Sequence, residues 1–278
     1  MNKHQYFYLI SGLPDLSLED RHIPFPAKMF LDELKTKIYS EDFEFVCWLY
    51  YLRDNKNLIS ILFNKKTTNQ AEGRYSLQQL EKAMESPSGL PGYMSKFISF
   101  VKENKQQYSE DEWEVRLTEA YFREAMNSGN KMLNQWLEFE LNLKNLFLEL
   151  NTGRSEPNPP RFIIEANKTA GLFQQNPSVD FSTETSLGFY GTVVEIIKME
   201  NIFEREKKLD WLRWQQLEEM NFFNYFTVEA ILGFCVKLMM LERWEILNSN
   251  EVKLVLPTII EAFINKIEMH HSKTAIIQ

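Results

Sequence analysis

The stretch WLEFELNLKNLFLELNTGR, Trp136 to Arg154, decides the fold. Its apolar residues Trp136, Phe139, Leu143, Leu146, Phe147 and Leu150 recur at steps of three and four, the period of one helix face. On the far side Glu138, Asn142, Asn145 and Glu149 keep the same rhythm and read as a polar stripe. A second apolar edge, Leu137, Leu141 and Leu148, predicts a central helix packed on two sides, with Trp136 and Phe147 in the core. Asn151, Gly153 and the EPNPP run after them are its stop signals.

Weaker echoes of this helix occur twice more. Upstream, FVCWLYYLRDNKNLISILFNKK (Phe45 to Lys66) aligns Lys56-Asn57-Leu58 with Lys144-Asn145-Leu146 and places Asn64 over Asn151. Downstream, AILGFCVKLMMLERWEILN (Ala230 to Asn248) has the same build around Lys237, with Ile231, Phe234, Cys235, Leu238 and Leu241 as its apolar residues. The marks at Asn57, Asn145 and Lys237 lie roughly ninety residues apart, longer than the usual solenoid periods, so each copy is expected in a small helical bundle of its own. The candidate repeats are 1–92, 93–160 and 161–278 of one helical protein. The competing reading is that amphipathic helices resemble one another whether or not they are repeats.

The rest of the chain agrees with an all-α class. Its 278 residues are 44% apolar and 25% charged, a globular composition. With 39 acidic against 31 basic residues the net charge is −8, which argues against a dedicated nucleic-acid binder, since phosphate neutralisation needs clustered Lys and Arg. Cys47 and Cys235 both fall on apolar helical stretches and read as buried free thiols in a reducing compartment. No segment approaches the eighteen or so uninterrupted apolar residues of a membrane span; the longest candidate, Ile231 to Leu241, is cut by Lys237. The N-terminus lacks the small-residue cleavage site of a signal peptide, and the protein is expected to stay in the cytoplasm.

Local signals fill in the helices. Ala27 to Ile38 carries Phe30, Leu31, Leu34 and Ile38 on one face, and Ser40 is read as the N-cap of the first echo. Ser76 with Gln79, and Ser109 with Glu112, fit capping boxes. The first opens Leu77 to Met84, and SPSGLPG (Ser86 to Gly92) separates that helix from Tyr93 to Asn104. Ser128-Gly129 is read as the turn of a helical hairpin into the central helix. From Gly153 to Ser186 the chain is rich in Pro, Asn and Thr, with helical period only over Arg161 to Leu172. Gly191 to Met220 reads as one helix, and Ile259 to Ile267 as the last, before a fraying tail.

Chemistry is conspicuously sparse. His4, His22, His270 and His271 are the only histidines. Glu268 and His271 match the Glu-x-x-His spacing of di-iron bundles once, without the second copy that a shared metal requires. No Cys–His or Ser–His pairing and no Gly-rich phosphate loop is visible. The acid pairs Glu41-Asp42 and Glu110-Asp111 serve helix starts, and Glu218-Glu219 reads as a solvated face. Trp48, Tyr50, Tyr51, Trp211 and Trp214 are assigned to core or interface packing rather than base stacking, because no cluster of basic residues flanks them. No catalytic, metal-binding or cofactor-binding residue is assigned.

The N-terminal YFYLISGLPDLSLED (Tyr6 to Asp20) resembles a family of uncharacterised proteins found with bacterial V/A-type ATPase components. EFELNLKNLFLELNTGR is similar to the acidic-x-x-Asn-Leu-Lys segment of the V-type ATPase C subunit, the funnel between central stalk and membrane ring that eukaryotes name the d subunit. FTVEAILGFCVKLMMLERWEILN resembles that family's last repeat. The chain differs in carrying Phe147 and Leu148 where the family commonly has Arg, and in a shortened Leu241-Glu242-Arg243-Trp244 run. The resemblance implies three related helical bundles arranged as a pseudo-threefold funnel. It also implies a non-catalytic central-stalk (rotor) component of a proton or sodium ATPase, linking the axle to the membrane proteolipid ring. Such a protein is cytoplasmic, peripheral at the inner face of the cell membrane, and a monomer when isolated. Acidic residues inside the funnel would then grip a basic axle tip. The alternative is a helical enzyme or ligand carrier with carboxylates in a cleft between bundles.

Overall fold

The third helix gathers the molecule around it. In the computed structural model, which describes residues 4–65, 72–152, 163–171 and 187–248, α3 (Ser40–Leu62) packs against α2 (Ala27–Lys37), α4 (Leu77–Glu85), α6 (Glu110–Ala125) and α10 (Val228–Asn248). A helix with neighbours on all sides must be apolar nearly all round, and Val46, Cys47, Tyr50 and Leu58 are each fully buried. Some of its polar atoms are answered by neighbouring elements. The Tyr50 hydroxyl donates to the Ala27 carbonyl at 2.7 Å, and Tyr93 donates to Asn55 Oδ1 at 2.9 Å.

The chain is all-α: α1 (Phe7–Ser11), α5 (Gly92–Asn104), α7 (Lys131–Thr152), α8 (Tyr190–Ile197) and α9 (Ile202–Asn221) complete ten helices among the described residues, and no strand occurs there. One continuous hydrophobic core runs from Tyr6 to Leu241. Both capping boxes form, with Ser76 accepting from Gln79 N–H and Ser109 from Glu112 N–H. The α6–α7 hairpin turns at Gly129, whose φ of +93° suits a residue without Cβ, and Asn130 Oδ1 then accepts from Leu133 N–H at 2.9 Å. Cys47 and Cys235 are buried free thiols, and no helix among the described residues is long and apolar enough to cross a membrane.

Several expectations are corrected. Gly191 to Met220 is two helices, broken where the side chain of Asn201 caps α9 by accepting from the Phe203 and Glu204 amides at 2.9 and 3.2 Å. Ser40 is the first residue of α3 and Tyr39 its uncapped N-cap. Residues 163–169 are irregular, not helical. Asn64 and Asn151 are not equivalent: Asn64 leaves α3 at φ +52°, whereas Asn151 is still inside α7. The segment Ile259 to Ile267 and the Glu268–His271 pair lie outside the described residues.

The central helix needs the largest revision. Trp136 is core, 5% exposed, but Phe147 is only half-buried at the core edge, with the Arg205 guanidinium 5.7 Å from its ring. Of the polar stripe, Glu138 alone is exposed, while Asn142, Asn145 and Glu149 are buried. The 163–171 segment covers the two asparagines. Asn145 Nδ2 donates to the Ile164 carbonyl and its Oδ1 accepts from Ile164 N–H, both at 3.0 Å, and Asn167 Nδ2 donates to Asn142 Oδ1 at 2.8 Å. A side-chain amide can satisfy a non-helical backbone in this way, which is why the stripe is Asn-rich rather than apolar.

Candidate functional site

The three echo helices α3, α7 and α10 meet, with α9, around a cavity of about 460 Å³. A second cavity of about 410 Å³ lies between α3, α6, α7 and α9. Leu52, Lys56, Glu140 and Arg213 line both, so the two are chambers of one cleft with Lys56 at their junction. The walls are mainly aliphatic and methionine side chains.

Ion pairs engage most of the charges facing the cleft. The Arg213 Nε donates to Glu140 Oε1 at 2.8 Å and its Nη1 to Asp210 Oδ1 at 3.0 Å. Asp210, 1% exposed, also accepts from Trp244 Nε1 at 2.8 Å and from Arg243. Arg243 reaches Glu206 at 3.3 Å, and Arg53 pairs with Glu242 at 2.6 Å. Glu242 in turn accepts from the Ala27 amide at 3.0 Å, tying α2 to α10. The flanking carboxylates hold Arg213 firmly protonated, against its burial.

Two cations stand outside this network. Lys56 and Lys144 make no ion pair or hydrogen bond among the described residues. Both reach solvent through the cleft, yet desolvation by its walls lowers both pKa values. Glu114 opposes that shift at each lysine, and Glu140 also at Lys144, from beyond ion-pair distance; Arg243, Arg53 and Arg213 reinforce it at Lys56, and Lys56 reinforces it at Lys144. Beside Lys56, Asn57 lines the inner chamber at 3% exposure and its amide has no hydrogen-bond partner among the described residues.

The marked motif residues therefore part company. Asn57 and Trp136 wall the inner chamber and Phe147 the outer one. Asn145 faces away, bound to Ile164. Lys237 lies outside the cleft, paired with Glu218 at 3.1 Å and 4.5 Å above the Trp214 ring. Lys56, Lys144 and Arg213 were not among the residues expected from the sequence. For the lysines a signal was present, since each aligned Asn-Leu pair is preceded by Lys. Among the described residues no group of three His, Cys, Asp or Glu side chains is placed to hold a metal ion.

Residues 1–267 match the family model described as "Protein of unknown function (DUF2764)". The chain belongs to the DUF2764 family. No curated protein and no solved structure matches it. The family match spans every helix that builds the cleft, so the cleft is part of the DUF2764 unit itself.

A second surface stands out at the corner where α1 meets the α9–α10 turn. Tyr6 N–H donates to the Phe226 carbonyl at 2.7 Å, and the Phe7 and Phe226 rings lie 4.6 Å apart. Around this junction Tyr8, Phe222, Phe223 and Tyr225 are exposed, Tyr8 at 99% and Phe223 at 82%. Projecting aromatics grouped this way mark docking surfaces more often than isolated exposed residues do.

Proposed function

We propose that this protein is a non-catalytic coupling component of a V/A-type ATPase, a socket like the C subunit, set between the central-stalk axle and the membrane proteolipid ring. The observation that carries the reading is the meeting of α3, α7 and α10, the bearers of the three echoes, around one cleft. In this reading they are corresponding helices of three related bundles about a pseudo-threefold axis, with 1–92, 93–160 and 161–278 as the bundles. The sequence resemblance to the C-subunit family supplies the partners. Dense helical packing supports it, because transmitting torque requires a stiff body. The aromatic corner offers a face for docking. Membrane attachment and ATP chemistry then belong to the partners, with the protein peripheral at the inner face of the cell membrane.

The charge expected inside the socket changes. An acidic interior gripping a basic tip is a poor match to a cleft whose Glu140, Asp210, Glu206 and Glu242 are bound to arginines. The alternative of a helical enzyme or carrier using carboxylates would have Glu114 of the outer chamber as its unpaired acid, beside the unpaired lysines.

Tagged full-length protein, expressed in cells that contain the ATPase, should co-purify with the axle proteins and the proteolipid ring. It should also leave the membrane when the cytoplasmic sector is separated from the ring. Purified alone it should be a monomer without ATPase activity. A clean pull-down that recovers no rotary ATPase component would overturn the reading.

A further inference from the structure

A solvent-reaching amine beside apolar walls that makes no ion pair keeps its donors available to a ligand. Two such amines share the outer chamber here, Lys56 and Lys144, and the nearby arginines that could have donated to a ligand are already bound to acids. Next to them, the amide of Asn57, a residue only 3% exposed, is without a partner among the described residues on the wall of the inner chamber. The unused hydrogen-bonding capacity is thus mostly that of donors, six N–H from the two ammonium groups and two from the amide. The inner wall beside them is Leu49, Leu52, Val236, Met239 and Met240, an apolar surface that methionines let adapt in shape. Chambers of about 460 and 410 Å³ lie in the size range of small-molecule sites.

We propose that this cleft binds a small amphipathic anion, with a carboxylate or phosphate head between Lys56 and Lys144 and an apolar body in the inner chamber beside Asn57 and Trp136. Charge complementarity selects the head: two unpaired lysines line the outer chamber against one unpaired carboxylate, Glu114, so a cation would face the excess positive charge and a neutral ligand would leave both lysines unpaired. The cleft's shape and apolar walls select the body, because a bare inorganic anion would leave the inner chamber empty. A polyanion such as nucleic acid would meet two unpaired cations within the cleft, in a protein of net charge −8. An anion would also favour the charged form of amines that desolvation disfavours. The proposal is independent of the rotor reading and concerns the isolated chain, so a failed pull-down leaves it standing and a failed titration leaves the rotor reading standing.

The test is calorimetric titration of the full chain with decanoate at low salt, below the concentration at which decanoate forms micelles, with intrinsic tryptophan fluorescence, to which Trp136 contributes, as a second readout. One saturable site per chain is expected. Decanamide, decyltrimethylammonium and acetate should each bind at least about tenfold more weakly, the scale of losing a charge-assisted contact or the apolar body. Lys56→Gln with Lys144→Gln should weaken decanoate by about tenfold or more without lowering the thermal midpoint, and the Lys→Arg pair should retain binding. Decyl phosphate run in parallel assigns the head: tighter binding than decanoate indicates a phosphate ligand, weaker binding a carboxylate. Absence of binding, unsaturable binding at many sites, equal affinity for decanamide, or an unaffected Gln double variant would each overturn the proposal. Should the double variant lose its helical circular dichroism, the decanoate–decanamide ratio of the natural protein decides.

Discussion

Asp54 shows at the scale of one residue how this protein closes a loop with a buried charge. Its side chain is fully buried on α3 and accepts from the Arg74 and Tyr75 amides at 2.9 and 3.1 Å. A Cβ on Gly73 would run into that carboxylate, so the loop approaches as closely as a glycine allows. Burial outweighs the two hydrogen bonds and raises the Asp54 pKa from 3.8 to about 6. The folded state therefore holds this proton more tightly than the unfolded chain. Its contribution to stability is fully present below pH 3.8 and is lost as pH rises through about 6. The shift corresponds to about 3 kcal/mol. Asp54→Asn cannot titrate, so the difference in unfolding free energy between variant and natural protein should move by roughly that amount across this window. Denaturant unfolding at a series of pH values checks it, and a constant difference would place the titration elsewhere.

At the scale of the element, α7 carries a lesson about its two faces. The stripe of Asn142, Asn145 and Glu149 has the spacing of a solvated face, but the 163–171 segment lies over its two asparagines and takes the Asn145 amide as a backbone partner on both sides. Removing that amide strands the N–H and C=O of Ile164 in a dry contact. Asn145→Ala should therefore cost about 2–6 kcal/mol, one to three for each orphaned group. Asn57→Ala, at the aligned position of α3, removes an amide with no partner and should cost less than about 1 kcal/mol. Urea unfolding of the two variants measures the contrast, and hydrogen exchange at the Ile164 amide localises it. Equal losses would show that the two asparagines do the same job after all.

At the scale of the molecule, the distant parts of the chain are joined through Asp210. It sits on α9, binds Arg213 on the same helix and Arg243 and Trp244 on α10, and through Arg213 reaches Glu140 on α7. Deleting one member of a buried charge network leaves the others uncompensated, so Asp210→Ala should cost about 3–5 kcal/mol. Thermal unfolding should show one transition at a lowered midpoint, because α7, α9 and α10 share the core. A separate early transition of α9 and α10 would mean that the network joins two units that fold apart.

The helices were legible from the sequence because their cause is local. Apolar residues at three- and four-residue steps, a Ser-x-x-Gln or Ser-x-x-Glu box, and Gly or Pro at the breaks act within one turn of the chain, and α4, α5, α6 and the α6–α7 turn follow them closely. The halves of 191–220 were joined wrongly because apolar period runs across a break that a single Asn makes. What tertiary structure alone decided is which polar groups meet. Asn57 and Asn145 have the same sequence neighbours, yet one lines a cavity and the other binds a stretch of irregular backbone nineteen residues further on. Lys56 and Lys144 lie on separate helices and become a pair only when α3 and α7 enclose the same chamber. Helical period tells which residues share a face of one helix; what that face looks upon depends on contacts between residues far apart in the chain, and the cleft is made entirely of such contacts.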